Sequence, residues 1–138
     1  MPSNEQQLEQ AWQEFLGGYV WHHAITLTTR WAYSPQAIGA QMEKRLVRTL
    51  ALVAQRRVAW FYAREDRVGG HPHIHALLGG TERLTTEQCQ RAWKAGFSRA
   101  KVLNAEILAD SNAAVRYVVK SLGRFPDDFD ISHRWIPK

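Results

Sequence analysis

The chain reads as an α+β domain, a central antiparallel sheet with helices packed on it. Helical and strand-like segments follow one another in the order α β α ββ α β α, the pattern of an α+β domain rather than of a wound parallel sheet. The two consecutive strands in the middle are joined by too few residues for a crossover, so that pair must be antiparallel.

The elements follow from local chemistry. SNEQ at Ser3 to Gln6 has a capping-box pattern, Leu8, Ala11, Trp12 and Phe15 recur at helical spacing, and Gly17-Gly18 supplies a stop, which predicts a helix over 4–16. Residues 19–30, YVWHHAITLTTR, are β-branched and aromatic, with Ile25, Leu27 and Thr29 alternating against Thr26 and Thr28, so a strand with one buried face is expected. Ser34-Pro35 opens a second helix over about 35–54, carried by Ile38, Met42, Leu46, Leu50 and Val53. RVAWFYARE (57–65) and HPHIHALLG (71–79) form a hairpin around DRVGG. A capping box at Thr85 to Gln88 starts a short helix ending near Ala95-Gly96, and FSRAKVL (97–103) is a further strand. Asp110 or Ser111 begins NAAVRYVVKSL, a helix expected to stop at Gly123 with Ala113, Ala114, Val118 and Leu122 on its packed side. In the tail, 124–138, Phe125, Phe129, Ile131 and Trp135 are placed to tuck against the core.

At 138 residues and 15.9 kDa the chain is one domain, 1–138, burying roughly two thirds of its unfolded surface. Apolar residues at 45% and charged residues at 22% exclude a disordered chain. No run of apolar residues is long enough to span a bilayer and the N-terminus is polar, so no membrane association and a soluble, cytoplasmic setting are expected. Cys89 is the single cysteine, which excludes an internal disulfide and a cysteine-rich zinc site. The net charge of +5 and pI near 9.7 favour a polyanionic partner.

His71, His73 and His75 alternate with Pro72, Ile74 and Ala76 and therefore project to one side of their strand, taken here as an exposed face. Imidazoles at i and i+2 can grip one divalent ion, and Glu65 at the end of the preceding strand is the candidate third ligand. Parity decides whether Glu65 shares their face. A two-residue Gly69-Gly70 turn sets it opposite Ile74, on the wrong side, whereas an odd loop sets it opposite an odd-numbered histidine. The odd loop is the expectation, with Asp66 pointing away and His71 as the reserve ligand. His22 and His23 at the strand start fit a structural role.

Tyr117 and Lys120, spaced i and i+3, set a phenol beside an ammonium on one helical face. An ordinary tyrosine is only about one part in a thousand ionised at pH 7, a deficit of roughly 4 kcal/mol as a nucleophile, which a cation nearby would reduce.

With these motifs in place, ITLTT at 25–29, His73-Ile74-His75 and Tyr117-x-x-Lys120, the chain resembles the HUH endonucleases, specifically single-tyrosine rolling-circle replication initiators. Ala113, one turn before Tyr117, separates it from the two-tyrosine class. The resemblance spans about residues 24–123 and implies a sheet of about five strands, with helix 4–16 as an N-terminal extension. It implies metal-dependent, sequence-specific nicking and strand transfer on single-stranded DNA, at an origin or hairpin, through a 5′-phosphotyrosine intermediate. Tyr117 would be the nucleophile, Lys120 would steady the phosphate or phenolate, and His73, His75 and Glu65 would hold Mn²⁺ or Mg²⁺. Arg30, Trp31, Tyr33, Lys94, Arg99, Lys101, Arg116 and Arg124 are candidate DNA contacts by charge and stacking. A helicase or host replication proteins are partners such an initiator implies, and the sequence contains no Walker-type phosphate loop of its own. A relaxase or single-tyrosine transposase would use the same chemistry. Two readings of other classes are a histidine-triad nucleotide hydrolase, which HPHIHALL resembles locally, and a non-catalytic DNA-binding domain with a structural metal.

Overall fold

A computed structural model describes residues 2–28, 37, 40, 44, 48–65, 73–96, 101–107, 111–120, 122 and 129–132. For 27, 28, 65, 73, 93–96, 101–107 and 111 it is the backbone that is described. The elements are α1 (Asn4–Gly17), β1 (His23–Thr28), α2 (Arg48–Ala54), β2 (Ala59–Glu65), β3 (His73–Gly79), α3 (Thr86–Gly96), β4 (Lys101–Ile107), α4 (Ser111–Val119) and β5 (Phe129–Ile131). Four long antiparallel strands run in the order β4-β1-β3-β2, and the three-residue β5 extends the sheet beyond β2. The fold is α+β and antiparallel, as expected.

Both capping boxes form. The Ser3 hydroxyl accepts the Gln6 N–H at 3.2 Å while the Gln6 side chain accepts the Ser3 N–H at 2.8 Å. Thr85 and Gln88 do the same at 3.1 and 2.9 Å. Each box satisfies two of the donors a helix start leaves open.

Both faces of the sheet are covered. On one, Leu16 of α1 and Val115, Val118 and Val119 of α4 pack on Ala59, Phe61, Ala63 and Leu77. On the other, Leu50 and Ala54 of α2 and Cys89 and Ala92 of α3 pack on Ile25, Trp60, Tyr62, Ile74, Ala76 and Leu78. This explains why AWFYA and IHALL are nearly continuous apolar runs: a strand covered on both sides does not alternate. The Cys89 thiol in the second core is pushed up to about 11 by burial, which makes it an inert packing residue. No helix among the described residues is long and apolar enough to cross a membrane.

The structure corrects the sequence reading at several points. The first strand begins at His23 rather than Tyr19, because the chain leaving α1 is still tied to it: the Tyr19 N–H and the Trp21 indole N–H both donate to the Leu16 carbonyl. The strand expected over 97–103 runs over Lys101–Ile107, because backbone pairing with β1 at the end of the described sheet carries it past the polar Asn104 and Glu106. Residues 97–100 lie outside the described set. The last helix ends at Val119, four residues before Gly123, as Lys120 and Leu122 donate to carbonyls three residues back in the tighter geometry of a helix end. Val53 is exposed, and Ala54 takes the core position beside Leu50. Ala113 is likewise exposed, with Val115 and Val119 facing inward. The described part of the second helix is Arg48–Ala54, so Ile38, Met42 and Leu46 lie outside it. Phe129 and Ile131 pack on the α1 side as β5, while Phe125 and Trp135 are outside the described residues.

Phe61 is fully buried, stacked on Phe129 and against Trp12. Phe61→Ala is expected to cost about 3–5 kcal/mol of stability, read from urea unfolding midpoints, whereas Phe15→Ala at the half-exposed neighbour costs under about 1 kcal/mol.

Candidate active site

The hairpin settles the parity question. β2 ends at Glu65 and β3 begins at His73, so an odd stretch, 66–72, separates them. Glu65 pairs directly with His73, and Ala63 with His75. Directly opposed positions share a face, so Glu65, His73 and His75 occupy one side of the sheet. On the other edge of β3, β1 sets Thr28 opposite His73 and Thr26 opposite His75. β4 completes the rows, with Lys101 opposite Thr28 and Asn104 opposite Thr26, across a bulge at Thr26/Leu27. One row thus reads Lys101, Thr28, His73, Glu65, and the next Asn104, Thr26, His75, Ala63. Asp66 and His71 lie outside the described residues.

The histidine face is not the exposed surface the alternation suggested. It is the face that α1 and α4 cover, and His75 is only 4% exposed. What lies over it is the C-terminal part of α4. The Tyr117 ring meets the His75 ring edge to face, with centroids 5.0 Å apart. Thr26 Oγ1 lies 3.4 Å from His75 Nδ1 on the strand side. A cavity of about 170 Å³ opens here, lined by Ala24, Thr26, His75, Tyr117 and Val118 among others. Tyr117 itself is 59% exposed, so its phenol stands at the surface above a buried imidazole.

Val115, Val118 and Val119 bury one stripe of α4, and Tyr117, at the flank of that stripe, is largely exposed while its ring reaches His75. Lys120 is exposed at the helix end, its N–H donating to the Tyr117 carbonyl at 3.4 Å. Its spacing from Tyr117 stands, though as a turn residue rather than a helical one.

Two imidazoles and a carboxylate at adjoining register positions are a donor set that fits a divalent ion. The side chains of Glu65 and His73 lie outside the described set, and among the side chains that are described no trio of His, Cys, Asp and Glu gathers.

Of the candidate DNA contacts, Arg116 is exposed on α4 and lines an open groove of about 270 Å³ with Gln10, Gln13, Glu14, Asn112 and Val115. Lys101 joins the His73 row by register, and Lys94 lies on α3. Arg30, Trp31, Tyr33, Arg99 and Arg124 lie outside the described residues.

His22 and His23 serve the opposite end of β1. His23 is 1% exposed, its Nδ1 2.6 Å from the buried Thr81 hydroxyl and its Nε2 without a partner among the described residues. The Gly80 N–H donates to His22 Nδ1 at 3.1 Å, beside the Arg56–Glu82 ion pair. Burial lowers both imidazole pKa values, and for His22 the Arg56 charge adds to it.

No protein-family model matches the chain, and no curated protein matches it. Among solved structures it is similar to the hypothetical protein ORF119 from Sulfolobus islandicus rod-shaped virus 1, at 17% identity over 89% of this chain and 97% of that one, with a TM-score of 0.53. The likeness is one of fold.

The depressed histidines set a pH dependence. Below the ordinary histidine pKa of about 6.5 the unfolded chain binds protons that folded His22 and His23 resist, so their contribution to stability is present above that pH and is lost as pH falls through it. The urea midpoint is expected to drop between pH 7.5 and pH 5, and His23→Gln to flatten that drop.

Proposed function

We propose that this chain is a metal-dependent endonuclease and strand transferase of single-stranded DNA, of the HUH type, with Tyr117 as its nucleophile. The observation that carries the reading is the meeting of His75 and Tyr117, from β3 and α4, at a ring separation of 5.0 Å beside a small open cavity. A histidine strand in a sheet with a tyrosine helix over it is the arrangement the sequence motifs imply for that class, and rolling-circle initiation is its proposed setting. Relaxases and single-tyrosine transposases share the chemistry.

The residues have separable roles. Tyr117 Oη attacks the scissile phosphorus in line, forming a P–O bond to tyrosine as the bond to the 3′-oxygen breaks. The phenol proton goes to the solvent to which Tyr117 is open, and the departing 3′-oxygen takes one up. The products are a 5′-phosphotyrosyl protein and a free 3′-hydroxyl, which can later attack the phosphotyrosine and rejoin the strand. Lys120, exposed one turn beyond, steadies the negative charge on phosphate or phenolate. A divalent ion, Mn²⁺ or Mg²⁺, held by His73, His75 and Glu65 would polarise the phosphoryl group and offset its developing charge. Arg116 and Lys101 are suited to adjoining phosphates.

A histidine-triad hydrolase requires a histidine open to attack a nucleoside phosphate. His75 is almost fully buried beneath Tyr117, which favours the tyrosine reading.

Intact-mass analysis tests the proposal. Wild type mixed with a varied single-stranded DNA pool and Mn²⁺ is expected to gain a DNA-sized increment mapping to Tyr117, absent in Tyr117→Phe and in EDTA. Absence of an adduct, together with EDTA-resistant hydrolysis of nucleoside phosphoramidates, would move the assignment to the histidine-triad class.

A further inference from the structure

α1 has no part in the chemistry above, yet it is fixed against α4, the helix that carries the tyrosine. Its start is locked by the Ser3–Gln6 capping box, and its end by the Trp21 indole N–H donated to the Leu16 carbonyl. Leu16 shares one core with Val115, Val118 and Val119 of α4. A Cβ at Gly17 would stand 3.5 Å from Asn112 Oδ1, so the two helices also meet closely at the end of α1. Between them lies the open groove of about 270 Å³, lined by Gln10, Gln13 and Glu14 from α1 and by Asn112, Val115 and Arg116 from α4.

This lining suits the edge of a nucleobase rather than a phosphate. Spacing i, i+3 and i+4 puts Gln10, Gln13 and Glu14 on one face of α1. A glutamine amide carries both donors and an acceptor, and a carboxylate accepts from exocyclic amino groups, the pairings by which side chains tell one base from another. The Glu14 charge disfavours a phosphate within the groove, whereas the exposed Arg116 favours one beside it. Gln10 Nε2 lies 3.5 Å from Glu14 Oε1, at the outer limit of a hydrogen bond, and the side chains of Gln13 and Arg116 have no hydrogen-bond or ion-pair partner among the described residues. Unpaired bases, splayed out of a single strand, are the form of nucleic acid that presents its pairing edges to such groups.

The groove lies across α4 from the cavity at Tyr117. Val115 and Arg116 line the groove and Tyr117 and Val118 the cavity, as residues that step about 100° around a helix allow. The exposed Ala113 and Lys120 form the crest between them. The crossing is one helix width, about 10–12 Å, so a strand held at Tyr117 reaches the groove within a few nucleotides. We infer that the groove between α1 and α4 is a base-reading subsite for single-stranded DNA, in which Gln10, Gln13 and Glu14 hydrogen-bond the edge of an unpaired base while Arg116 holds the phosphate beside it. The inference rests on the reading of Tyr117 as acting on single-stranded DNA, and supplies that reading with a source of sequence preference.

The test is equilibrium selection of bound strands from a randomised single-stranded DNA pool in EDTA, where binding is read without chemistry. It compares wild type, the double variant Gln10→Ala/Gln13→Ala, and Arg116→Gln, with urea midpoints to confirm folding; alanine is the best helix former, so α1 is retained. Wild type is expected to enrich a short motif, with particular bases favoured about 10-fold or more at one or two adjacent positions. The double variant is expected to return those positions to near-equal frequencies while still binding the pool. Arg116→Gln is expected to weaken binding of all strands alike and to lower its salt dependence, leaving the preference in place. Absence of binding or of any preference in wild type, or a preference unchanged in the folded double variant, would overturn the subsite. The Tyr117 adduct formed with Mn²⁺ is read separately: a groove-dependent preference without an adduct keeps the subsite and removes the endonuclease reading, and an adduct with an unchanged preference in the double variant does the reverse.

Discussion

Everything that gives this protein a site depends on the register of β3. The strand is central, hydrogen-bonded to β1 on one edge and β2 on the other, and helices cover both of its faces. Side chains alternate with period two, so a slip of one residue would exchange His73, His75 and Leu77 for Ile74, Ala76 and Leu78. That exchange would drive an imidazole into the core made by Trp60, Tyr62 and Cys89. Desolvating a polar ring there without a hydrogen-bond partner costs on the order of 1–3 kcal/mol, and the apolar contacts of Ile74 would be lost as well. Packing of the apolar half of the strand therefore fixes the position of its polar half.

The second condition is the placement of α4. Its valines bury one stripe against the sheet and against α1, and Leu16 and Trp12 of α1 close the layer. Tyr117, at the flank of that stripe, meets His75 over a cavity whose β1 residues, Ala24 and Thr26, are small. Larger side chains at those two positions of β1 would fill the cavity. The alternation of small residues with Ile25 in this strand thus serves two layers at once: Ile25 packs toward α2 and α3, and its neighbours leave room toward α4.

Much of this was legible in the sequence, for identifiable reasons. Capping boxes are local, so Ser3 and Thr85 marked their helices. The parity of Glu65 could be posed but not decided from residue types, since DRVGG admits a tight turn around Gly69-Gly70; it was the ends of the strands at Glu65 and His73 that resolved it. The extent of β4 was misread because Asn104 and Glu106 interrupt the apolar pattern, while pairing with β1 supplies the backbone hydrogen bonds that the side chains do not advertise. The end of α4 before Lys120 was hidden by VVKSL, a run that continues the helical period past the point where the chain turns. Least legible was the cover over His75. Three alternating histidines suggested an open face, and nothing in the local sequence says that a helix some forty residues later in the chain will lie across it.

His23 and His75 show how environment rather than residue type assigns a role. They lie toward opposite ends of the sheet and on opposite faces, and both are nearly inaccessible to solvent. Each has a threonine hydroxyl near its Nδ1, from Thr81 and Thr26 respectively. What separates them is the other side of the ring. His23 is packed into the interior, where burial disfavours its charged form, and the result is a fixed polar joint between the start of β1 and the chain leaving β3. His75 borders a cavity with a phenol at its mouth and, by register, a second histidine and a carboxylate in the next row. The same imidazole–hydroxyl pairing closes a strand end in one place and, in the other, borders a cavity beneath a tyrosine ring.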